Sequence, residues 1–306
     1  MLTDRLRTLL RRSGPARALA SPLLAVRRRI VGRRHALRAS VWDDARGLLA
    51  QPPVVRVDTF GGTFELDPRS HILARLMLDG DYEPEVFGLC ASLLDPERDV
   101  IDVGANAGFF SVGLAQRLTS GRLLAIEPSA AMVARLRGNL ERNGVTENVL
   151  VEPLALSDRE GTASLNTIQG NEEYSTLGEA AHPALASSGI ASGVVQERIR
   201  TARLDDVVAA HGLRPALLKV DVEGFEAQVF GGAMQTLRDH RPAVVTEFSA
   251  DLLRANGSSP EAMVRLFESC GYRILDPFTP GHPPVTPTFL RTTEEVLCLP
   301  EEHPLA

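Results

Sequence analysis

The 306-residue chain contains three cysteines and, among 33 basic residues, a single lysine. Cys90, Cys270 and Cys298 are far apart, odd in number and without a Cys-x-x-Cys spacing. That disfavours a disulfide framework or a thiolate zinc site and predicts a reducing, cytoplasmic setting. Apolar runs of about 20 residues, the length that crosses a bilayer, are also lacking. The nearest thing to a signal peptide, residues 18–26, is short, interrupted by Pro22 and bracketed by Arg17 and Arg27-Arg28-Arg29, so it reads as uncleaved. The near absence of lysine gives weight to the one retained. Lys219 marks a place where a compact ammonium fits and a guanidinium fork does not.

Charge is unevenly divided. The net value is −6, but residues 1–46 hold twelve Arg against Asp4, Asp43 and Asp44, or +9, which leaves −15 for the rest. So acidic a body is a poor nucleic-acid binder and points to a small neutral substrate. In the basic segment Leu2, Leu6, Leu9 and Leu10 share one helical face, and Leu23, Val26, Ile30 and Val31 another. Residues 1–50 therefore read as an extension whose arginines face anionic membrane lipid or a protein partner, the alternative being a solvated tail.

The most informative stretch is 100–111. The strand-like run Val100-Ile101-Asp102-Val103 ends in Gly104, Asn106 and Gly108, after which Phe109 and Val112 take helical spacing. Free amides at such a helix start face whatever occupies the turn. Glu127 ends the next apolar run, 19 residues past Gly108, a carboxylate placed for the two hydroxyls of a ribose. A dinucleotide fingerprint would need glycine at Asn106 and Phe109, so nicotinamide-dependent chemistry is disfavoured. Adenosine joined to a cationic amino-acid tail suits the loop better.

Around it, strands and helices alternate. Residues 54–60 and 63–66 flank Gly61-Gly62 as a β-hairpin, and 70–78 reads as a helix, giving a lead-in over 51–98. From 99 to 299 the pattern is strand 100–103, helix 107–118, strand 123–126, helix 129–143, strand 148–154, helix 204–210, strand 216–221, helix 223–230, strand 243–248, helix 260–270, strand 272–276 and strand 296–299. The expected fold is α/β: a Rossmann-like, doubly wound, mostly parallel seven-stranded sheet, with a tail at 300–306. Residues 159–200, rich in Gly, Ser and Ala, interrupt it as an irregular, lid-like insertion, and 277–287 reads as a Pro-rich loop.

Charge gathers again at Lys219, Asp221 and Glu223. Strand alternation puts the first two on one side, with Glu223 just beyond, opening the next helix. Glu247 ends a further strand. Gly104–Gly108, Glu127, Asp221, Glu223 and Glu247 all fall at carboxyl ends of strands, where open parallel sheets bind ligands. An acidic rim there suits a sulfonium.

The succession Gly-Asp-Tyr-Glu-Pro (80–84), Val-Ile-Asp-Val-Gly-Ala-Asn-Ala-Gly (100–108), Ile-Glu-Pro (126–128), Ala-Leu-Ser-Asp (155–158), Arg-Leu-Asp-Asp (203–206), Leu-Lys-Val-Asp-Val-Glu-Gly-Phe-Glu (218–226) and Thr-Glu-Phe (246–248) resembles the FkbM-type methyltransferases over about residues 54–299. The lysine block is the most specific of these. The resemblance implies O-methylation of a hydroxyl on a sugar, glycan or secondary metabolite, with S-adenosyl-L-methionine as cofactor. It also implies that Asp102, Gly104, Asn106 and Gly108 hold the methionine end, that Glu127 takes the ribose and that Ala155 lines the adenine. Asp221 would approach the cofactor amine, and Tyr82 and Glu83 would close over the site.

Methyl transfer to an alcohol needs a base within hydrogen-bond reach. Glu223 is the first candidate, with Lys219 orienting it or the substrate oxygen and Asp221 beside them, and His182 in the insertion is the second. No metal-spaced ligand set appears, so none is expected. The competing reading is a non-catalytic module that docks a partner or membrane through residues 1–46.

Overall fold

The computed structural model describes residues 51–168, 176–177, 194–286, 290 and 295–305. The basic segment 1–46, most of the 159–200 insertion including His182, and part of the Pro-rich loop therefore lie outside the described residues. Among those described, no helix is long and apolar enough to cross a membrane.

The chain opens with a hairpin, β1 (Val54–Val57) and β2 (Gly62–Glu65), paired antiparallel with Val54 opposite Glu65. Helix α1 (His71–Asp79) follows, its first amides accepted by the Ser70 hydroxyl and its end set by Gly80 in the left-handed conformation. Helix α2 (Pro84–Leu93), absent from the sequence reading, starts on a proline whose missing N–H costs nothing in a first turn.

The central layer is then laid down as β3 (Asp99–Val103), α3 (Phe109–Ala115), β4 (Leu123–Ile126), α4 (Ala130–Arg142) and β5 (Val149–Glu152). After β6 (Ala155–Leu156), β7 (Gly161–Ile168), β8 (Thr176–Leu177) and β9 (Val194–Ala202), it resumes with α5 (Leu204–His211), β10 (Pro215–Val220), α6 (Glu226–Gly231) and α7 (Met234–His240). It closes with β11 (Ala243–Glu247), α8 (Ala250–Ala255), α9 (Pro260–Ser269), β12 (Tyr272–Leu275) and β13 (Glu295–Pro300).

The expected seven-stranded sheet is present, in the order β12-β13-β11-β10-β3-β4-β5. Its first five strands in chain order (β3, β4, β5, β10, β11) run parallel, and β13 is antiparallel to both its neighbours. From β3 the chain winds outward through β4 and β5, then returns to β10 on the other side of β3. The switch in strand order thus falls between β3 and β10, and their carboxyl ends open the crevice in which such folds bind ligands.

Each face of the sheet has its own apolar core. One contains Phe230, Phe248, Phe267 and Tyr272. The other gathers Phe60 and Phe64 of the hairpin with Phe87, Phe109 and Phe110. Phe64 stacks on Phe109 at 4.4 Å between ring centroids, so the lead-in shares the core of the sheet. Asn139 in α4 fastens the hairpin: its Oδ1 accepts from the Glu65 amide at 2.8 Å and its Nδ2 donates to the Ala107 carbonyl at 2.8 Å. Asn139 is fully buried. Asn139→Ala leaves those backbone groups unpaired and is expected to cost about 2 kcal/mol in urea denaturation, without changing the length of α4.

Two expectations need correction. The insertion is not simply irregular: β7 and β9 pair antiparallel from Gly161↔Thr201 to Ile168↔Val194, and with β6 and β8 they make a separate four-stranded sheet. Among the described residues, Leu165 and Ile199 pack with Ala155 in a small cluster of their own, too short an apolar pattern to show alternation in the sequence. The helix expected from 223 begins instead at Glu226. Glu223, at φ +52°, and Gly224, at φ +95°, form a left-handed turn ahead of it.

Candidate active site

The loop after β3 is built by contact with β10 and β4. Gly104 has φ +76°, and a Cβ there would lie 1.9 Å from the Asp221 carbonyl oxygen, so only glycine lets the two strand tips meet. The amides of Gly104 and Ala105 both donate to the Ile126 carbonyl at 3.0 Å, and the Asp221 amide donates to the Val103 carbonyl at 3.1 Å. Asn106 is also left-handed, at φ +49°, held by a 2.6 Å bond from the Ala107 amide to its own Oδ1.

Glu127 closes this frame. Its Oε2 accepts from the Asn106 amide at 3.0 Å and its Oε1 from the Ser129 amide at 2.9 Å. Burial pushes its pKa up to about 7 although both amides pull it down. Each carboxylate oxygen has a second lone pair, so the group can still accept from a vicinal diol.

These residues wall a cavity of about 950 Å3, counted to its open mouth. Gly104, Asn106, Glu127, Ala155, Lys219, Asp221 and Glu223 all line it. Tyr82 lines it from the lead-in, its ring under the Arg75 guanidinium at 5.1 Å. The cavity opens to solvent, and this volume includes the space at its mouth. Its chemistry fits the cofactor that the resemblance implies: a diol acceptor at Glu127, an apolar wall of Ala155, Leu156 and Leu165, and a carboxylate at Asp221.

Three residues sit elsewhere than expected. Asp102 is fully buried beneath the cavity, its Oδ2 accepting from the Ser111 hydroxyl at 2.6 Å and its Oδ1 without a hydrogen-bond partner among the described residues. Gly108, at φ +90°, is backed by Leu136 and likewise does not border the cavity. Both lie behind the loop: Asp102 belongs to β3, whose five residues are all buried, and the Cβ position of Gly108 faces Leu136. Glu83 borders a second, adjoining cavity together with Glu247.

Lys219 is the electrostatic centre. It is 6% exposed, its Nζ lies 3.3 Å from Asp221 Oδ2, and it sits 4.9 Å from the centroid of the Phe110 ring. Burial opposes its charge, but Asp221, Asp102 and Glu83 outweigh that and hold its pKa above the ordinary lysine range. Burial in turn raises Asp102, against the pull of Lys219.

Sequence reasoning missed Glu226, Leu165 and Glu295. Glu226 Oε1 accepts from the amides of Val222 and Gly224, each at 3.2 Å, fixing the turn that carries Glu223. It is buried, which pushes its pKa up to about 8 against those amides. Its place in Val-Glu-Gly-Phe-Glu was visible, but its role depends on where the helix begins. Leu165 and Glu295 arrive from distant strands and carry no local signal.

Comparison with known proteins extends the chemistry. A 214-residue stretch is 29% identical to the AMB antimetabolite synthetase AmbE of Pseudomonas aeruginosa, covering 56% of this chain and 10% of that protein. Over 167 residues the chain is 29% identical to the 2-O-methyltransferase NoeI of Sinorhizobium fredii, covering 52% of this chain and 66% of the relative. The chain thus spans less than two thirds of the length of either relative. Among solved structures, the methyltransferase FkbM of Methylobacillus flagellatus is 17% identical with a TM-score of 0.44, over 74% of this chain and 52% of that one. The methyltransferase FkbM domain itself matches residues 102–274, more than half of the chain, a span that holds the glycine loop, Glu127 and the lysine block. With those three elements folded around one cavity, the chain belongs to the FkbM family of S-adenosylmethionine-dependent methyltransferases.

Proposed function

We propose that the protein transfers a methyl group from S-adenosylmethionine to the hydroxyl of a sugar, glycan or secondary metabolite. One observation carries the reading: the Lys219–Asp221 ion pair stands at the edge of a cavity suited to the cofactor and also borders the smaller cavity beside it. In this reading Glu127 takes the ribose hydroxyls, Ala155, Leu156 and Leu165 flank the adenine, and Gly104 and Asn106 keep the loop clear for the amino-acid end. Tyr82 covers the entrance. When bound, the cofactor supplies an electrophilic methyl on a sulfonium, which must be met in line by the acceptor oxygen.

The residues on the junction then act on that oxygen. Asp221 accepts the hydroxyl proton, and Lys219 fixes the Asp221 carboxylate and the oxygen in one geometry. Glu223 borders only the larger cavity, so the role of base passes from it to Asp221. The name of NoeI as a 2-O-methyltransferase supports an oxygen acceptor.

The direct test is mass spectrometry of candidate acceptors incubated with methyl-labelled cofactor, where a methylated hydroxyl is expected; cofactor binding without transfer to any sugar, lipid or polyketide would defeat the proposal. Binding of S-adenosylhomocysteine gives a second test through Glu127. Below about pH 7 the carboxyl gains a proton and loses acceptor capacity, so affinity is expected to fall toward tenfold per pH unit on the acid side. Glu127→Gln should flatten that slope, and Glu127→Ala should weaken binding roughly a hundredfold in calorimetry, since two charge-assisted hydrogen bonds are lost.

A further inference from the structure

One row of side chains crosses a face of the sheet from β5 to β13. Its members, matched by strand register, are Val151, Ala125, Asp102, Lys219, Val245 and Leu297. Register partners on adjacent strands point to the same face, here the one whose core holds Phe87 and Phe110. All but two members of the row are apolar, and the two charged ones, of opposite sign, are direct neighbours. Charges on so apolar a face persist only when paired.

Asp102 has no part in the chemistry described so far, because it is fully buried and does not border the cofactor cavity. Its Oδ2 is taken by the Ser111 hydroxyl, while its Oδ1 has no hydrogen-bond partner among the described residues. One bond from a neutral hydroxyl does not offset the desolvation of a carboxylate, so a positive charge beside it must. Lys219 meets Asp221 at 3.3 Å on the cavity wall and has Asp102 as its register partner on β3. Burial works against the Lys219 charge, and Asp221 followed by Asp102 outweigh it. Glu83 acts third and is itself 3.7 Å from Arg75. The Cys90 thiol also packs here, its pKa pushed up by burial to about 12.

We propose that Asp102 is the standing counter-charge of Lys219, a positioning residue that holds the ammonium in place while Asp221 takes up the acceptor proton, and not a ligand of the cofactor's amino-acid end. This rests on the methyl-transfer reading above. Transfer forms the oxygen–carbon bond, breaks the carbon–sulfur bond and passes the hydroxyl proton to Asp221. Asp221 is then neutral, and its hold on Lys219 weakens at the moment when the ammonium must keep its place. Asp102, shut away from the acceptor beneath the cavity, keeps its charge through the step and with it the position of Lys219.

The test is a double-mutant cycle on the full chain, unfolded in urea at neutral pH. Asparagine keeps the shape of Asp102 and still accepts from Ser111, so a packing role tolerates it. As a counter-charge, Asp102→Asn is expected to lower the urea midpoint by about 1 M or more in the wild-type background. In the Lys219→Met background it should raise the midpoint, because there it removes a buried charge that has lost its partner. Ser111→Ala, which removes no charge, should lower it in both. If the single variants fail to fold, the double variant is expected to fold, since neither charge is then left alone. An unfolded double variant, or the same sign for Asp102→Asn in both backgrounds, overturns the proposal. The second arm compares S-adenosylhomocysteine with methylthioadenosine, which lacks the amino-acid end. In Asp102→Asn their affinity ratio should stay within about twofold of wild type, whereas a loss of about tenfold or more confined to S-adenosylhomocysteine would put Asp102 on the cofactor and overturn the proposal. Titration of the wild type with S-adenosylhomocysteine separates the two levels: its failure sinks the methyl-transfer reading, and its success without a reversal of sign sinks only this inference.

Discussion

Replacing Gly104 by alanine is expected to cost about 3 kcal/mol or more of stability and to remove binding of S-adenosylhomocysteine. Two penalties combine. The residue has φ +76°, where an L side chain is strained, and the added Cβ would lie 1.9 Å from a backbone oxygen that cannot rotate away. To make room, the tips of β3 and β10 must part, and with them the Gly104 and Ala105 amides that donate to Ile126. The loss should appear as a drop of roughly 10 °C in Tm, since about 1 kcal/mol moves a domain of this size by 2–4 °C. Gly138→Ala is the control. It lies in α4, and a Cβ there meets nothing within 4 Å, so the same chemical change should be neutral or stabilising. Equal melting and equal binding for Gly104→Ala would mean the strand tips do not touch as described.

Lys219→Met should be comparably severe. The ammonium is the positive charge on which Asp221, Asp102 and Glu83 all act, and it is nearly buried. Removing one partner of a buried ionic group leaves the other charges uncompensated, typically at about 3–5 kcal/mol. The penalty has a defined pH dependence. In the wild type Lys219 lowers the pKa values of Asp102 and Glu83, so its loss lets both rise further. They are then neutral at low pH and charged at high pH, and the destabilisation should shrink toward pH 5 and grow toward pH 8 in urea denaturation. Methyl transfer should fall by a factor of about 100 or more in single-turnover assays even at the acid end, because Asp221 loses the partner that orients it. Lys219→Arg keeps the charge but places a broad guanidinium where the ammonium sits over Phe110, and should recover stability better than activity. A pH-independent loss would show that the lysine serves packing alone.

The legible parts of this molecule were those written in local periodicity. The apolar runs at 100–103, 123–126 and 243–247 gave the parallel strands, and the Asn143-Gly144 stop gave the end of α4. Glycine spacing located the loop after β3, and the acidic residue after β4 the carboxylate that accepts from its Asn106 amide. The short helices α7 and α8, seven and six residues long, are too brief to show a helical face. The ribbon of β7 and β9 was hidden because one face of it meets solvent and its strands carry charge, as at Glu197, Arg198 and Arg200.

Residue types at strand ends determined by themselves that an adenosyl cofactor belongs here and that the one lysine stands at a strand end beside Asp221, because strand alternation and glycine geometry are local properties of the chain. The tertiary structure decided which side chains face the ligand. It turned Asp102 and Gly108 inward, moved Glu223 out of its helix, and brought Glu83 and Glu295, 212 residues apart in sequence, to one cavity at Lys219. That choice depends on β13 inserting antiparallel beside β11, and a pairing across nearly fifty residues leaves no trace in the pattern of either strand.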